Sequence, residues 1–198
     1  MKFVVARYQE NVDWTNGLPD CVIYNKGPTA VPASIQHPVI VLPNVGREGH
    51  TYLFHIIQNY DMLDDYTCFL QGNPFDHTPD LESRINQFEG KMNKPDFTYV
   101  SRDLYQINLC YDPTDFSLHA LLMNTYEKVF GVAKKDHAFQ FGAGAQFIVS
   151  RAAIQRRPKS FYENIVPLLD YANCPAEGFA MERFWGMIFR GAEWFGTN

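Results

Sequence analysis

Tyr66-Thr67-Cys68-Phe69-Leu70 runs directly into Gln71-Gly72-Asn73-Pro74-Phe75-Asp76-His77. The first five residues are β-compatible and apolar, with no Gly or Pro, and read as a buried strand. The Gly, Asn and Pro that follow stop the strand in a turn. A carboxylate and an imidazole, Asp76 and His77, are thereby delivered at the strand's C-terminal end. In an open α/β sheet ligands lie across that end of the strands.

Two earlier runs end in the same way. Phe3-Val4-Val5-Ala6 is a strand followed by Arg7-Tyr8-Gln9-Glu10, and Asp20-Cys21-Val22-Ile23-Tyr24 is a strand that stops at Asn25-Lys26-Gly27-Pro28. Val39-Ile40-Val41-Leu42 is flanked by prolines and reads as a short extended segment leading into a loop. Leu53, Ile56, Ile57 and Tyr60 recur at helical spacing, which predicts a helix over 50–60. Leu81, Ile85 and Phe88 predict another over 79–92, and Pro113-Thr114 opens a third through about Phe130, with an irregular stretch between them. Gln146-Phe147-Ile148-Val149 reads as a strand, Arg151 onward as helix until Arg157-Pro158, and two terminal helices fall near 159–171 and 177–190. Strands alternating with helices predict an α/β fold with a mostly parallel sheet flanked by helices. No repeat or long linker interrupts the pattern, so residues 1–198 read as one domain.

The chain has 17 Lys and Arg against 22 Asp and Glu, a net charge of −5, with 46% hydrophobic and 20% charged residues. That composition excludes intrinsic disorder. The acidic balance argues against binding to a nucleic-acid polymer, which draws its affinity from basic surface. Cys21, Cys68, Cys110 and Cys174 form no CxxC pair and read as free thiols, Cys21 and Cys68 beside strands as core residues. Arg7 follows only a few apolar residues, too few for a signal peptide, and no apolar run approaches the ~20 residues that span a bilayer. An intracellular, cytoplasmic protein is the expectation, or a catalytic domain of a longer chain.

No GxGxxG follows the first strand, and neither a GxxxxGK[ST] phosphate loop nor a GxSxG nucleophile elbow occurs. Asn44-Val45-Gly46-Arg47-Glu48-Gly49-His50 precedes a helix, where an Arg and free N–H groups favour an anion; Arg47 and Glu48 read equally well as a surface ion pair. Gly142-Ala143-Gly144-Ala145 stands before a strand, either a tight turn or a place where backbone approaches a ligand closely. Glu182 lies among Met181, Phe184 and Trp185, a setting that suits a general base or a structural salt bridge.

Together, Val4-Val5-Ala6-Arg7-Tyr8-Gln9-Glu10, Tyr24-Asn25-Lys26-Gly27, the Asn44–Leu53 string, Phe69–His77 and Met181-Glu182-Arg183-Phe184-Trp185-Gly186 resemble a family of small glycosyltransferase-like domains. Its members occur in fungi and large DNA viruses of algae, among them the N-terminal domain of a chlorella-virus glycosyltransferase. The resemblance implies a GT-A-like (Rossmann-like) fold and a nucleotide-sugar donor, a UDP-sugar first. It also implies a glycan or other hydroxyl acceptor, Mn²⁺ or Mg²⁺ on the diphosphate, and the host cytoplasm as location if the chain is viral. The family's Asp-x-Asp metal motif is degenerate here, since Phe75-Asp76-His77-Thr78 holds a single Asp. By resemblance Asp76 is the metal ligand, with His77 second. Ala6, Arg7, Tyr8, Tyr24 and Lys26 line the nucleotide site, and Arg47 lies near the phosphates. Gly142, Ala143 and Gly144 would meet the donor sugar or acceptor, and Glu182, then Asp103, are the candidate bases. The missing second Asp leaves open a noncatalytic nucleotide- or carbohydrate-binding module on the same fold.

Overall fold

A computed structural model of the chain describes residues 1–109, 116–131 and 138–190. Pro113-Thr114 and Cys110 lie outside the described residues. Strands β1 (Lys2–Arg7), β2 (Cys21–Asn25), β3 (Val39–Val41), β4 (Tyr66–Gln71), β5 (Phe97–Tyr99) and β8 (Phe147–Ser150) form one sheet. A separate two-stranded ribbon joins β6 (Leu104–Asn108) to β7 (Ala138–Gly142). The helices are α1 (Arg47–Asn59), α2 (Leu81–Glu89), α3 (Phe116–Phe130), α4 (Arg151–Gln155), α5 (Lys159–Ile165) and α6 (Ala176–Arg190).

The sheet order is β3-β2-β1-β4-β8-β5. β3, β2, β1 and β4 run parallel, and β8 is antiparallel to both of its neighbours. The expected mixed, mostly parallel sheet is present. Alternation along each strand sends successive side chains to opposite faces. Val4, Val22, Tyr24 and Phe69 face a core shared with α1, α5 and α6, whereas Phe3, Val5, Ile23, Cys68 and Leu70 face one shared with α2. Both faces are covered, which is why the parallel strands are near-continuous apolar runs.

Four boundaries differ from the sequence expectation. α1 begins at Arg47, ahead of the expected residue 50, because Gly46 adopts a left-handed φ of 64° and turns the chain into the helix. The stretch after residue 92, expected to be irregular, holds β5 and β6. β5 is only three residues long, too short to stand out, and β6 has a mostly exposed surface with no buried alternation. The segment at Val39 is a true edge strand, pinned by Ile23 N–H donating to Pro38 O and Leu42 N–H donating to Asn25 O. The helix expected near 159–171 ends at Ile165 and tightens into a short 3₁₀ turn.

The pairing of β1 with β2 brings the loops beyond them into backbone contact. Lys26 N–H donates to Arg7 O at 2.8 Å, and a Cβ on Gly27 would stand 1.6 Å from the Tyr8 carbonyl oxygen. No side chain fits there. Gly27→Ala is therefore expected to cost more than about 2 kcal/mol in urea unfolding. Gly17→Ala, whose Cβ would meet nothing within 4 Å, should change stability by less than about 0.5 kcal/mol.

Candidate functional site

The strand order reverses direction at β1, since the chain steps outward through β2 and β3 and then returns to lay β4 on the other side. Ligands in open α/β sheets bind at such a switch point, beyond the strands' carboxyl ends. An open cleft of about 330 Å³ lies there. It is lined by the loop after β1 (Arg7, Tyr8, Glu10), Lys26 after β2, Asn44, Arg47 and Glu48 around the start of α1, and Asn73 and Asp76 after β4.

The cations in the cleft do different jobs. Arg7 is buried, and its guanidinium donates to Asn25 Oδ1 at 2.6 Å, Thr29 O at 2.9 Å and Glu10 O at 2.9 Å. It holds the two loops together and has little left for a ligand. Lys26 is 8% exposed and donates to the carbonyls of Val45 and Arg47, tying the end of β2 to the start of α1. Burial lowers its pKa to about 8, partly offset by Glu48. Arg47 is freer: its guanidinium lies 4.7 Å from the Phe179 ring centroid and 3.8 Å from Glu48. Tyr8, 43% exposed, offers a ring at the mouth.

The acids differ as well. Glu10 accepts from the N–H groups of Tyr8 and Gln9 at 2.6 and 3.0 Å. Asp76 is exposed and makes no hydrogen bond or ion pair among the described residues. Glu48 belongs to the stretch that the sequence predicts equally as an anion site or a surface ion pair. In the fold its side chain is only 11% exposed. Burial pushes its carboxyl above the usual carboxylate range, with Glu182 adding to the rise and Arg47 and Lys26 opposing it. The signal that identifies it is its place between Gly46 and Gly49, which lets α1 start early and turns Glu48 inward.

Glu182 and the Gly142–Gly144 turn meet, as the Gly144 N–H donates to Glu182 Oε1 at 2.7 Å. Gly144 has a φ of 77°, and its missing Cβ would lie 2.4 Å from the His77 ring. Gly142 likewise makes room for Tyr99, and the Ala143 carbonyl accepts from Ser101 Oγ at 2.5 Å. These residues form a shoulder against His77, next in sequence to Asp76, and Glu182 is near enough to Glu48 to raise its pKa, but neither the turn nor Glu182 lines the cleft. Asp103 joins through its backbone only; its carboxylate pairs with Arg102 at 3.2 Å on the surface. Ala6 lines the cleft but Tyr24 does not. The Tyr24 ring follows the alternation of β2 under α1, with its hydroxyl 2.9 Å from His55 Nδ1. Burial holds that His near a pKa of 4.

A family model described as protein of unknown function (DUF3431) matches residues 3–197. The chain belongs to that family. No curated protein and no solved structure gives a significant match. The match takes in every element that builds the cleft, from β1 to α6.

Among the described residues no three His, Cys, Asp or Glu side chains come together as a metal site. Asp76 still fits one: a free carboxylate facing an open cleft supplies one or two ligands, and a hard cation takes the others from water or phosphate oxygens. The His77 ring packs against Gly144 and is less available. No helix of the described residues is long and apolar enough to cross a membrane.

Glu48 has a stability signature. Its folded pKa lies above the unfolded one, so its contribution is fully present below the unfolded carboxylate pKa and is lost as pH rises through the folded value. Glu48→Gln keeps the neutral form at every pH. The variant is expected to melt higher than the wild type at pH 7, with the gain vanishing toward pH 4. Calorimetric scans across that range check it.

Proposed function

We propose that the cleft binds a nucleoside-diphosphate sugar and that the chain transfers the sugar to a hydroxyl acceptor, assisted by Mn²⁺ or Mg²⁺, on a GT-A-like version of this fold. The observation that carries the reading is a separation of charge across one cleft. Arg47 and the first turn of α1 stand on the β2 side and the free carboxylate of Asp76 on the β4 side. A diphosphate would use both. Its oxygens suit an Arg beside a helix N-terminus, and a cation between them and Asp76 would join the two walls.

The other lining residues have roles under this reading. The exposed Tyr8 ring can stack on a nucleobase, and Ala6 leaves backbone accessible beside it. Arg7 and Lys26 keep the loops closed against each other rather than meeting the ligand. A cleft of about 330 Å³ holds the diphosphate and part of the nucleoside, with the sugar directed toward the Gly142–Gly144 shoulder. When bound, the cation would neutralise charge on the departing nucleoside diphosphate.

A second reading, a noncatalytic nucleotide-binding module, is favoured by one feature. Among the described residues that line the cleft, Asp76 is the acid with no hydrogen bond or ion pair, since Glu10 is held by backbone N–H groups and Glu48 stands beside Arg47, which leaves one free carboxylate for a metal. Binding without turnover would distinguish it.

Thermal shift with UDP, GDP and their sugars, with Mn²⁺ and then with EDTA, tests the proposal. A nucleotide at 100 times its Kd should stabilise by about 2.7 kcal/mol, roughly 5–10 °C for a chain of this size. Asp76→Ala should abolish the metal-dependent part of that shift, and Arg47→Ala should weaken affinity about tenfold, the loss of one charge-assisted contact. Absence of stabilisation by every nucleotide in both conditions would overturn the reading.

A further inference from the structure

Three features together mark Glu48 among the acids near the cleft. Its backbone is forced into place: Gly46 and Arg47 both have left-handed φ, 64° and 50°, and Arg47 is not a glycine. The Gly46 N–H donates to Ala172 O at 2.8 Å, and a Cβ at Gly46 would lie 2.8 Å from Leu169 O. Such strain survives only where the surroundings over-determine it, and it gathers at functional sites.

The second feature is that its carboxyl is lightly held. Glu10 and Glu182 accept from the backbone N–H groups of other residues and Asp103 pairs with Arg102, whereas Glu48 has the N–H of its own residue and Arg47 at 3.8 Å. The third lies behind it. Tyr52 is one helical turn further along the same face of α1, and its hydroxyl is buried without a partner; the indole N–H of Trp185 is likewise buried and unpartnered. A Cβ on Gly49 would stand 3.9 Å from that indole, so α1 approaches it closely. Two idle polar groups thus lie in the core behind a nearly buried carboxyl.

We propose that Glu48 is the catalytic base of the transfer, taking the acceptor's hydroxyl proton, while Glu182 acts as a positioning residue for the Gly142–Gly144 turn. This rests on the reading of the cleft as a nucleotide-sugar site. In the step, the acceptor oxygen bonds to the anomeric carbon, and the bond from that carbon to the phosphate oxygen breaks with its electron pair leaving on the nucleoside diphosphate. The proton passes to the Glu48 carboxylate. Arg47 and Lys26 favour the ionised form, whereas burial, the charge of Glu182 and the apolar packing around Tyr52 oppose it. The acid limb of the rate profile should therefore fall above the ordinary carboxylate range.

The test measures nucleoside-diphosphate release from UDP-glucose, UDP-galactose, UDP-N-acetylglucosamine and GDP-mannose with Mn²⁺, beside thermal shift with UDP and GDP. Glu48→Gln should lower kcat by about 100-fold or more, the usual worth of a general base, with nucleotide-induced stabilisation kept. Glu48→Ala should regain part of its rate with added formate, which a structural role would not allow. Glu182→Gln should lose less than Glu48→Gln, with its acid limb moved to lower pH, because the charge of Glu182 adds to the rise at Glu48. A Glu48→Gln protein within threefold of the wild-type kcat, or one that loses nucleotide binding together with turnover, overturns the assignment and leaves the transferase reading standing. A wild-type protein that binds nucleotide but releases none from any donor overturns both.

Discussion

The cleft depends on one buried cation. Lys26 reaches from the end of β2 to the carbonyls of Val45 and Arg47, and in doing so fixes where α1 begins. An ammonium at a helix N-terminus faces the positive end of the dipole, an unfavourable placement. Burial adds to the cost, as its lowered pKa registers. The compensation is local: two carbonyl acceptors, with the Glu48 carboxyl close enough to favour the charged form. Without this strut the left-handed pair Gly46–Arg47 would have less to hold it, and Arg47 and Glu48 would lose their fixed approach to the cleft. The close passage of Gly27 against Tyr8 belongs to the same assembly, since it sets Lys26 at the right height.

What was legible in the sequence follows from burial. β1, β2 and β4 are covered on both faces, so they appear as uninterrupted apolar runs, and the loops after them announce themselves by Gly, Asn and Pro. The lining residues Ala6, Arg7, Tyr8, Lys26, Arg47 and Asp76 were accessible from that pattern together with the resemblance. Tyr24 was misplaced for a reason of parity. It neighbours Asn25 in sequence, but strand alternation turns its ring beneath α1 toward His55. β6 has no buried stripe to read, so the ribbon that supports the Gly142–Gly144 turn stayed hidden. Glu48 was missed because an Arg-Glu pair at a helix start has an ordinary surface explanation, and only the early start of α1 and its packing against α6 remove it from solvent.

The acids of the site divide by what satisfies them. A carboxylate that accepts backbone N–H bonds, as Glu10 and Glu182 do, is an internal anion that organises a loop. Its charge is already spent. Glu48 has no more than the N–H of its own residue, and Asp76 has no such partner among the described residues. A fold selected for stability alone would gain by replacing the first with a neutral group, since a half-buried carboxyl and unpartnered hydroxyl and indole groups each carry a desolvation penalty of order 1–3 kcal/mol. Unsatisfied polarity concentrated beside a cleft is the pattern expected where stability is exchanged for function.

The same division explains how an acidic chain can receive an anionic ligand. With a net charge of −5 its average field repels a diphosphate. Close to the β2 side of the cleft the balance reverses, because Lys26, Arg47 and the first turn of α1 gather around Glu48, while Glu10 is held by backbone N–H groups. On the β4 side the sign is negative at Asp76. A ligand carrying only negative charge would satisfy one wall and meet repulsion at the other. A diphosphate accompanied by a divalent cation presents both signs, and the switch point between β1 and β4 is the place in this topology where both walls can be reached at once.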